Sequence, residues 1–417
     1  MKSSLYRCAA VLVIPVLFGL PRSATGREGR PDLSAAPAIR FHQGTTARDI
    51  PFRYELGHII LAVQVADTLM VEMMLDSGLG LNGAILLDPD IGEALGLAYS
   101  GQLPLGGGGT ARPVVANVSR DAVLSVPGAT FSGQMLLVVT DPEPFRNFPG
   151  RGIVGRTLFD CVVEIDYAAS RINLHQGSSY RPPEGCESFD VVFSHGIPVM
   201  EARVSTDGIV ESPVKLIVDT GAVQLLLFDW TGIAVPRPPI LVAGRERLLS
   251  KGFNGTILGA TGRIARLQLG PHILRQVVTS FPDSASWGSA MILGQEGMLG
   301  NDGLRRFFVA FDYAHQQIHL RPNARFDEPF EFDMSGFVWE PTPDGTMLVV
   351  DVIPQSPAAE SGVEPGDRIF ALDGRFPGEL GWVEVERLLM RDGVRLRMTV
   401  LRGMERLEKD VVTRRLI

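Results

Sequence analysis

The sequence predicts a mostly β protein with two duplicated β-barrel-like lobes and a smaller C-terminal domain that mixes strands and helices. Two observations lead to this fold class. An internal repeat has a period near 145 residues, and each copy consists of short β-branched runs separated by Gly, Pro, Asn and Asp. The 417 residues suffice for about three domains. A content of 45% hydrophobic and 21% charged residues is typical of globular rather than disordered or fibrous chains.

The charge balance limits the class of partner. The formal net charge is -8 at pH 7, so the chain has no general excess of basic residues with which to bind phosphates. Proteins that bind nucleic acid usually concentrate Lys and Arg on one surface. Nucleic acid is therefore not an expected partner.

The N-terminal residues 1–26 have the layout of a secretory signal peptide. Lys2 and Arg7 precede an apolar run, Cys8–Leu20, which small residues follow. The run has 13 residues, whereas a membrane-spanning helix needs about 20. We expect export to the periplasm or the cell exterior, with no stable membrane span after the segment is removed.

Two cysteines, Cys161 and Cys186, remain after such removal. In an oxidising compartment they can form a disulfide, or they can be two separate buried side chains. The sequence leaves both alternatives open.

The internal repeat predicts the two lobes, residues 46–180 and 186–325. Three pairs of equivalent residues keep nearly the same separation: 143 residues for Asp76 and Asp219, 145 for Gly155 and Gly300, and 146 for Asp166 and Asp312. So little drift over this distance indicates duplication.

Each copy carries one Asp-Ser/Thr-Gly triplet directly after an apolar strand. The triplets are Asp76-Ser77-Gly78 and Asp219-Thr220-Gly221. A single triplet of this kind most often opens a turn. Two at the same position of a duplicated unit are different, because a twofold relation would bring both carboxyl groups together. Two adjacent carboxyl groups share one proton and can act as a base and an acid on a water molecule.

These residues resemble the retropepsin-type aspartic proteases over residues 50–322. The resemblance implies a bilobal acid-protease fold, peptide hydrolysis by the dyad Asp76 and Asp219, and no metal or cofactor. It also implies supporting roles for the residues that follow each Asp, in which Ser77 and Thr220 bind the opposite lobe and Gly78 and Gly221 let backbone approach the substrate. Two apolar-apolar-Gly triplets, Ile153-Val154-Gly155 and Met298-Leu299-Gly300, would pack behind the dyad.

A flap over the cleft is also expected from the resemblance. The glycine run Gly106, Gly107, Gly108 and Gly109 lies in a strand-turn-strand pattern and is the candidate, with a counterpart near residues 252–262. The alternative is a flexible surface loop. Three positions depart from the family pattern, namely Leu79, Gly80 and Val223, and they make the activity of the dyad an open question.

Residues 330–417 resemble a PDZ domain. The resemblance rests on Ser356-Pro357-Ala358-Ala359, Pro365-Gly366-Asp367 and Asp373-Gly374. It implies a groove helix at Val383–Met390 and a loop, Ser335-Gly336-Phe337, whose N–H groups would hold the terminal carboxylate of a bound peptide. The alternative is a domain that only packs on the lobes or joins subunits.

The sequence thus favours an exported aspartic endopeptidase that acts on proteins or peptides, with a PDZ domain that recruits peptide ends. Because one chain carries both halves, a monomer can be active. The first alternative is a non-catalytic peptide-binding protein with a degenerate cleft. A second is that each Asp belongs to a composite site formed by homodimerisation.

Overall fold

The computed structural model describes residues 14–15, 38–146, 148–238, 247–287 and 294–417. Strands dominate and the helices are short, so the prediction of a mostly β chain is confirmed. The predicted signal peptide lies outside the described residues, apart from Ile14–Pro15. Within the described ranges, no helix is long and apolar enough to cross a membrane.

The first repeat is a run of short strands with two short helices. Its elements, after β1 (Ile14–Pro15), are β2 (Ala38–Phe41), β3 (Thr46–Glu55), β4 (His58–Val65), β5 (Leu69–Leu75), β6 (Gly83–Leu86), α1 (Pro89–Ala94), β7 (Gly101–Gly106), β8 (Val114–Val126), β9 (Ala129–Val139), β10 (Gly152–Val154), α2 (Arg156–Phe159), β11 (Val162–Asp166) and β12 (Arg171–His175).

The second repeat has a similar succession of elements, without counterparts of β2 and α1 among the described residues. Its elements are β13 (Glu187–Ser194), β14 (Ile197–Ser205), β15 (Ser212–Val218), β16 (Leu226–Phe228), β17 (Arg247–Gly252), β18 (Gly255–Leu269), β19 (His272–Pro282), β20 (Gly297–Leu299), α3 (Asn301–Leu304), β21 (Phe307–Asp312) and β22 (Gln317–Pro322).

Strand pairing repeats along with the sequence. In the first repeat β10 pairs in parallel with β5, so that Val154 lies opposite Leu75. In the second, β20 pairs in parallel with β15, so that Leu299 lies opposite Val218. In each repeat, the strand that precedes the Asp therefore lies beside the strand of the apolar-apolar-Gly triplet of the same repeat.

A six-stranded antiparallel sheet joins the two repeats, in the order β3-β12-β11-β21-β22-β13. At its centre β11 pairs with β21, and Ile165 lies opposite Val309. Both of these residues are fully buried. The order is symmetric about this central pair, which relates the two repeats by an approximate twofold.

Alternation along β5 determines which side chains face the cleft. Met73 and Leu75 belong to the large core cluster of the repeats, whereas Met74 belongs to a second cluster. Successive side chains of a strand point to opposite faces. Asp76, two residues after Met74, therefore continues the face that carries the second cluster.

The C-terminal domain has a five-stranded sheet of its own. Its elements are β23 (Phe337–Pro341), β24 (Met347–Val352), α4 (Pro357–Glu360), β25 (Arg368–Leu372), α5 (Pro377–Leu380), α6 (Trp382–Leu389), β26 (Arg395–Arg402) and β27 (Glu405–Val412). Ser356 caps α4 by accepting a hydrogen bond from Ala359 N–H, with Pro357 in the first turn. Helix α6 lies at the predicted position of the groove helix.

Arg306 connects the second repeat to this domain. Its buried guanidinium donates to backbone carbonyl oxygens of the connecting segment, those of Arg325, Phe326, Glu328 and Pro329. It also lies 3.7 Å from the centre of the Phe330 ring. One cation thus orders the segment through both hydrogen bonds and a cation–π contact.

Candidate active site

Asp76 and Asp219 occupy equivalent places directly after β5 and β15. The N–H of Asp76 donates to the carbonyl of Val154 at 2.9 Å, and the N–H of Asp219 donates to the carbonyl of Leu299 at 2.9 Å. Each Asp backbone is therefore fixed between its own strand and the neighbouring parallel strand.

The residue after each Asp binds the opposite repeat. Ser77 N–H donates to Thr220 Oγ1, and Thr220 N–H donates to Ser77 Oγ, both at 2.9 Å. The Ser77 hydroxyl donates to Val218 O at 2.8 Å, and the Thr220 hydroxyl donates to Leu75 O at 2.9 Å. Both hydroxyl groups thus donate and accept across the twofold, all in a buried environment. This reciprocal set fixes the two Asp-containing loops relative to each other.

The two Asp carboxyl groups meet within one chain. A Cβ on Gly221 would lie only 2.6 Å from Cγ of Asp76, so the Asp76 carboxyl packs directly on the backbone that follows Asp219. Both side chains are fully buried, and each carboxyl group affects the pKa of the other. The homodimer alternative is not needed to bring them together.

The hydrogen bonds of the two carboxyl groups differ. Asp219 Oδ1 accepts a hydrogen bond from Gly221 N–H at 2.7 Å. The N–H groups of Gly78 and Leu79 lie near the Asp76 carboxyl. Among the described residues, however, none gives an Asp76 oxygen a hydrogen bond of normal geometry. The negative charge is therefore better stabilised on Asp219 than on Asp76.

The pKa values reflect this environment. Burial, followed by the neighbouring Asp219 charge, raises the pKa of Asp76 well above its ordinary value. Burial also raises the pKa of Asp219, to about 6, while hydrogen bonds from Asp76 and from Gly221 N–H oppose the rise. Both shifts favour a pair that shares one proton at pH values above the ordinary pKa of Asp, and the Gly221 hydrogen bond favours the charge on Asp219.

Two of the three residues that depart from the family pattern, Gly80 and Val223, contact the opposite repeat. A Cβ on Gly80 would lie 2.1 Å from the carbonyl oxygen of His195, so only glycine fits there. At the equivalent position of the second repeat, Val223 packs against Gly57, where a Cβ would lie 2.7 Å from Val223 Cβ. Gly57 and Gly196 are the second residues of equivalent turns with positive φ. These positions hold the repeats together and leave the two carboxyl groups in place.

The glycines of the two apolar-apolar-Gly triplets also have a steric role. A Cβ on Gly155 would lie 2.5 Å from Leu79 Cβ, and one on Gly300 would lie 2.3 Å from the carbonyl oxygen of Gln224. The chain that follows each Asp thus passes directly over the glycine of its own triplet, which explains why Leu79, the third departure, is buried there.

Asn301 and Arg156 make further contacts between the repeats, which the sequence analysis did not predict. Asn301 Nδ2 donates to Thr220 O at 2.5 Å and to Gly57 O at 2.9 Å, and Asn301 Oδ1 accepts from the Tyr167 hydroxyl at 2.7 Å. Arg156 occupies the equivalent position of the first repeat and lies 6.0 Å from the centre of the Tyr313 ring. The repeated tyrosine after each Ile/Phe-Asp pair is the only sequence signal for these contacts.

The predicted flap loop and its counterpart meet at their tips. Ala111 N–H donates to Asn254 O at 2.8 Å, Asn254 N–H donates to Gly108 O at 2.9 Å, and the Asn254 amide donates to Leu105 O and Arg112 O, both at 3.2 Å. A Cβ on Gly109 would lie 2.3 Å from Asn254 O. The glycine run therefore permits close backbone approach between two loops.

Phe253, next to Asn254, extends from the second repeat into the first. It is 1% exposed and packs in the second cluster with Met74, Leu79 and Ile153. Its ring lies 5.0 Å from that of Phe145. Phe253 therefore fills an apolar pocket of the first repeat, in the cluster that includes Leu79, three residues after Asp76.

The edge of β7 carries an added strand. Ile14 lies opposite Gly106 and Pro15 opposite Leu105, in antiparallel register. An extended segment can therefore pair with the first repeat beside the glycine run.

The predicted carboxylate loop of the C-terminal domain already binds a carboxylate of its own chain. Ser335 N–H and Gly336 N–H both donate to Asp333 Oδ1 at 2.9 Å, and Phe337 N–H faces Ser335 Oγ at 3.4 Å. These three N–H groups therefore have acceptors within the chain.

The remaining side chains of interest in the described part of the chain are candidate metal ligands and the two cysteines. No group of three or more His, Cys, Asp or Glu side chains there is arranged to hold a metal ion. Cys161 and Cys186 are both free, and the Cys161 thiol is buried and donates to Leu158 O.

Comparison with known proteins assigns the C-terminal domain alone. No curated protein matches the chain. Residues 348–402 match the PDZ domain family, in agreement with the resemblance inferred from the sequence. The chain is therefore a mostly β protein that contains a PDZ domain.

Proposed function

We propose that the two repeats form an aspartic endopeptidase of retropepsin-like type, whose PDZ domain recruits polypeptide substrates. The observation that carries the proposal is the pair of buried carboxyl groups, Asp76 and Asp219, held together across the twofold by Ser77 and Thr220. The signal-like N-terminus places the enzyme, in this proposal, outside the cytoplasm.

In the proposed mechanism the two carboxyl groups have different roles. Asp219, whose charge Gly221 N–H stabilises, is the base. It takes a proton from a water molecule while the water oxygen adds to the peptide carbonyl carbon. Asp76 is the acid that donates its proton to the carbonyl oxygen. Collapse of the resulting diol breaks the C–N bond, returns a proton to Asp76 and passes the proton held by Asp219 to the amine nitrogen. No covalent intermediate is required.

The substrate must lie in an extended conformation between the dyad and the two loops. The β7 edge beside Gly106 accepts an antiparallel strand, as Ile14–Pro15 illustrates, and strand addition supplies main-chain hydrogen bonds for any sequence. In the described conformation Asn254 joins the two loops. We expect the loops to separate when substrate enters.

Cleavage of a mixed peptide library across pH 4 to 9 tests the proposal. The wild-type chain should cleave, whereas Asp76→Asn and Asp219→Asn should lose cleavage by a factor of about 10³ or more, since each removes the acid or the base. Asp166→Asn is a matched control, because Asp166 caps a turn by accepting from Ala168 and Ala169 N–H groups. Cleavage that survives in either dyad variant would exclude the mechanism.

If folded wild-type protein cleaves no peptide but still binds some, the repeats act as a peptide-binding scaffold instead. Circular dichroism of every variant separates this outcome from misfolding.

A further inference from the structure

The loop before β23 holds an internal carboxylate at the place where a PDZ domain would hold the terminal carboxylate of its ligand. Three donors converge on Asp333 Oδ1: Ser335 N–H at 2.9 Å, Gly336 N–H at 2.9 Å and the Ser335 hydroxyl at 2.5 Å. Asp333 is only 9% exposed. A ligand carboxylate at this loop would lie close to the Asp333 carboxylate, which carries the same charge. The donors that it needs already donate to Asp333.

Hydrogen bonds to its carbonyl oxygens also fix the loop. Ile353 N–H donates to Gly336 O at 2.8 Å, and Ala358 N–H donates to Ser335 O at 2.9 Å. Gly336 has φ +82, and a Cβ there would lie 2.1 Å from Ser356 Cβ. The backbone therefore cannot turn its N–H groups toward a ligand without breaking these contacts.

The neighbouring strand offers a different way to bind a polypeptide. β23 is the terminal strand of its sheet, and the pairing within the described residues is with β24 alone. Helix α6 runs beside it: Met334 N–H donates to Leu389 O at 2.8 Å at one end, and the Trp339 and Trp382 rings lie 5.6 Å apart at the other. Strand addition on such an edge needs only backbone groups of the ligand. The added strand would lie along Phe337–Trp339, because Glu340 is fully buried and Pro341 lacks an N–H.

We propose that the PDZ domain binds internal, extended segments of a polypeptide by strand addition along β23, and that it does not recognise a free C-terminus. This inference rests on the proposed recruiting role of the domain and narrows the class of partner. It fits an endopeptidase, because recruitment would not depend on where a substrate chain ends.

The test compares the two end groups directly. An array of synthetic ten-residue peptides is made twice, with a free C-terminal carboxylate and as the amide, and fluorescence anisotropy measures binding to the full-length Asp76→Asn protein, which should not degrade the probes. For each peptide that binds, we expect the two Kd values to agree within about twofold. A preference of about tenfold or more for the free acid would overturn the inference and leave recruitment intact. If no peptide binds in either form, both the inference and the recruiting role fail, whereas the cleavage assay still decides catalysis.

Two variants locate the binding surface and test the role of Asp333. Trp382→Ala, at the start of α6, should weaken binding by about tenfold. Met404→Ala, a fully exposed apolar side chain in the β26–β27 turn, should leave it unchanged. Asp333→Ala frees the loop N–H groups and should create a preference for the free acid that the parent protein lacks. Equal effects of the Trp382 and Met404 variants would place the binding surface elsewhere and overturn the inference.

Discussion

At the scale of single residues, one hydrogen bond distinguishes the two carboxyl groups. Gly221 N–H donates to Asp219 Oδ1, and Asp76 has no equivalent donor of normal geometry among the described residues. The two equivalent carboxyl groups therefore have unequal hydrogen-bonding environments.

This inequality predicts the pH dependence of cleavage. The base must be ionised and the acid protonated, so kcat/KM should rise with pH as Asp219 loses its proton, near its pKa of about 6. It should fall at a higher pH, where Asp76 ionises, because burial and the Asp219 charge raise the pKa of Asp76. Initial rates at constant ionic strength from pH 3 to 9 measure the profile. Maximal activity at pH 3 would contradict this assignment of roles.

Gly221 predicts a steric effect on the dyad. A methyl group there would lie 2.6 Å from Asp76 Cγ, so Gly221→Ala should displace the Asp76 carboxyl and reduce kcat by about 100-fold or more. Gly232→Ala is the matched control, because no atom lies within 4 Å of a Cβ at that position. If both variants cleave like the wild type, the Asp76 carboxyl does not need its present position.

Duplication repeats the Asp-Ser/Thr-Gly triplets, so the sequence predicts that Asp76 and Asp219 lie together, but it does not predict the contacts around them. Ser77 and Thr220 lie at the same place of each copy, which makes a reciprocal contact foreseeable. Gly80 and Val223 differ between the copies, and nothing local indicates that each faces a turn of the other repeat. Such contacts depend on how two surfaces meet, and that information is spread over the whole fold.

At the scale of elements, the strands could be predicted from the sequence, whereas the contacts between loops could not. The β-branched runs predict β5 and β15, since alternation of buried side chains leaves a periodic pattern. The junction between the glycine run and Asn254 leaves none, because its hydrogen bonds use backbone carbonyls of residues about 145 positions away. Phe253 likewise resembles any apolar loop residue until the first repeat forms its pocket.

The contact between the glycine run and the loop that carries Phe253 and Asn254 predicts how the two loops separate. Phe253→Ala removes an aromatic ring from the apolar pocket of the first repeat, and losing a buried Phe costs about 3–5 kcal/mol when the site cannot collapse. The loops should then separate more often. The N–H groups of Gly109, Thr110 and Ala111, which donate to the second repeat, should exchange with deuterium faster, and kcat/KM should rise.

Hydrogen exchange and peptide cleavage can be measured on the same preparations. Phe370→Ala is the control, because Phe370 is 45% exposed on the PDZ domain. Unchanged exchange at the three loop amides in the Phe253 variant would show that Phe253 does not hold the loops closed.

At the scale of the whole molecule, two structures join the halves into one unit. The six-stranded sheet crosses between the repeats at β11 and β21, and the Ser77–Thr220 contacts cross near the dyad. Both arise within a single chain, so a complete dyad does not require a second copy. The PDZ domain connects through the segment ordered by Arg306.

The two buried carboxyl groups also predict how stability depends on pH. In the unfolded chain an Asp ionises near its ordinary pKa of about 4, whereas folded Asp219 keeps its proton to about 6. Between these values the folded state binds more protons, so the free energy of unfolding contributed by this group decreases as pH rises. Asp219→Asn removes the ionisable group. Relative to the wild type, this variant should therefore gain about 3 kcal/mol between pH 4 and pH 8, since one pKa unit corresponds to about 1.4 kcal/mol.

Urea denaturation of both proteins at pH 4 and pH 8 measures this difference. The contribution of Asp76 changes as well, because the Asp219 charge raises the pKa of Asp76 in the wild type. Asp344→Asn should behave in the opposite way, because hydrogen bonds with Thr342 and Arg368 lower the pKa of Asp344. The stability that this carboxylate provides is present above its unfolded pKa of about 4 and is lost as pH falls. The variant should therefore lose more stability at pH 8 than at pH 3. A difference between Asp219→Asn and wild type that stays constant from pH 4 to pH 8 would mean that Asp219 ionises normally, and it would remove the physical basis for a shared proton at this site.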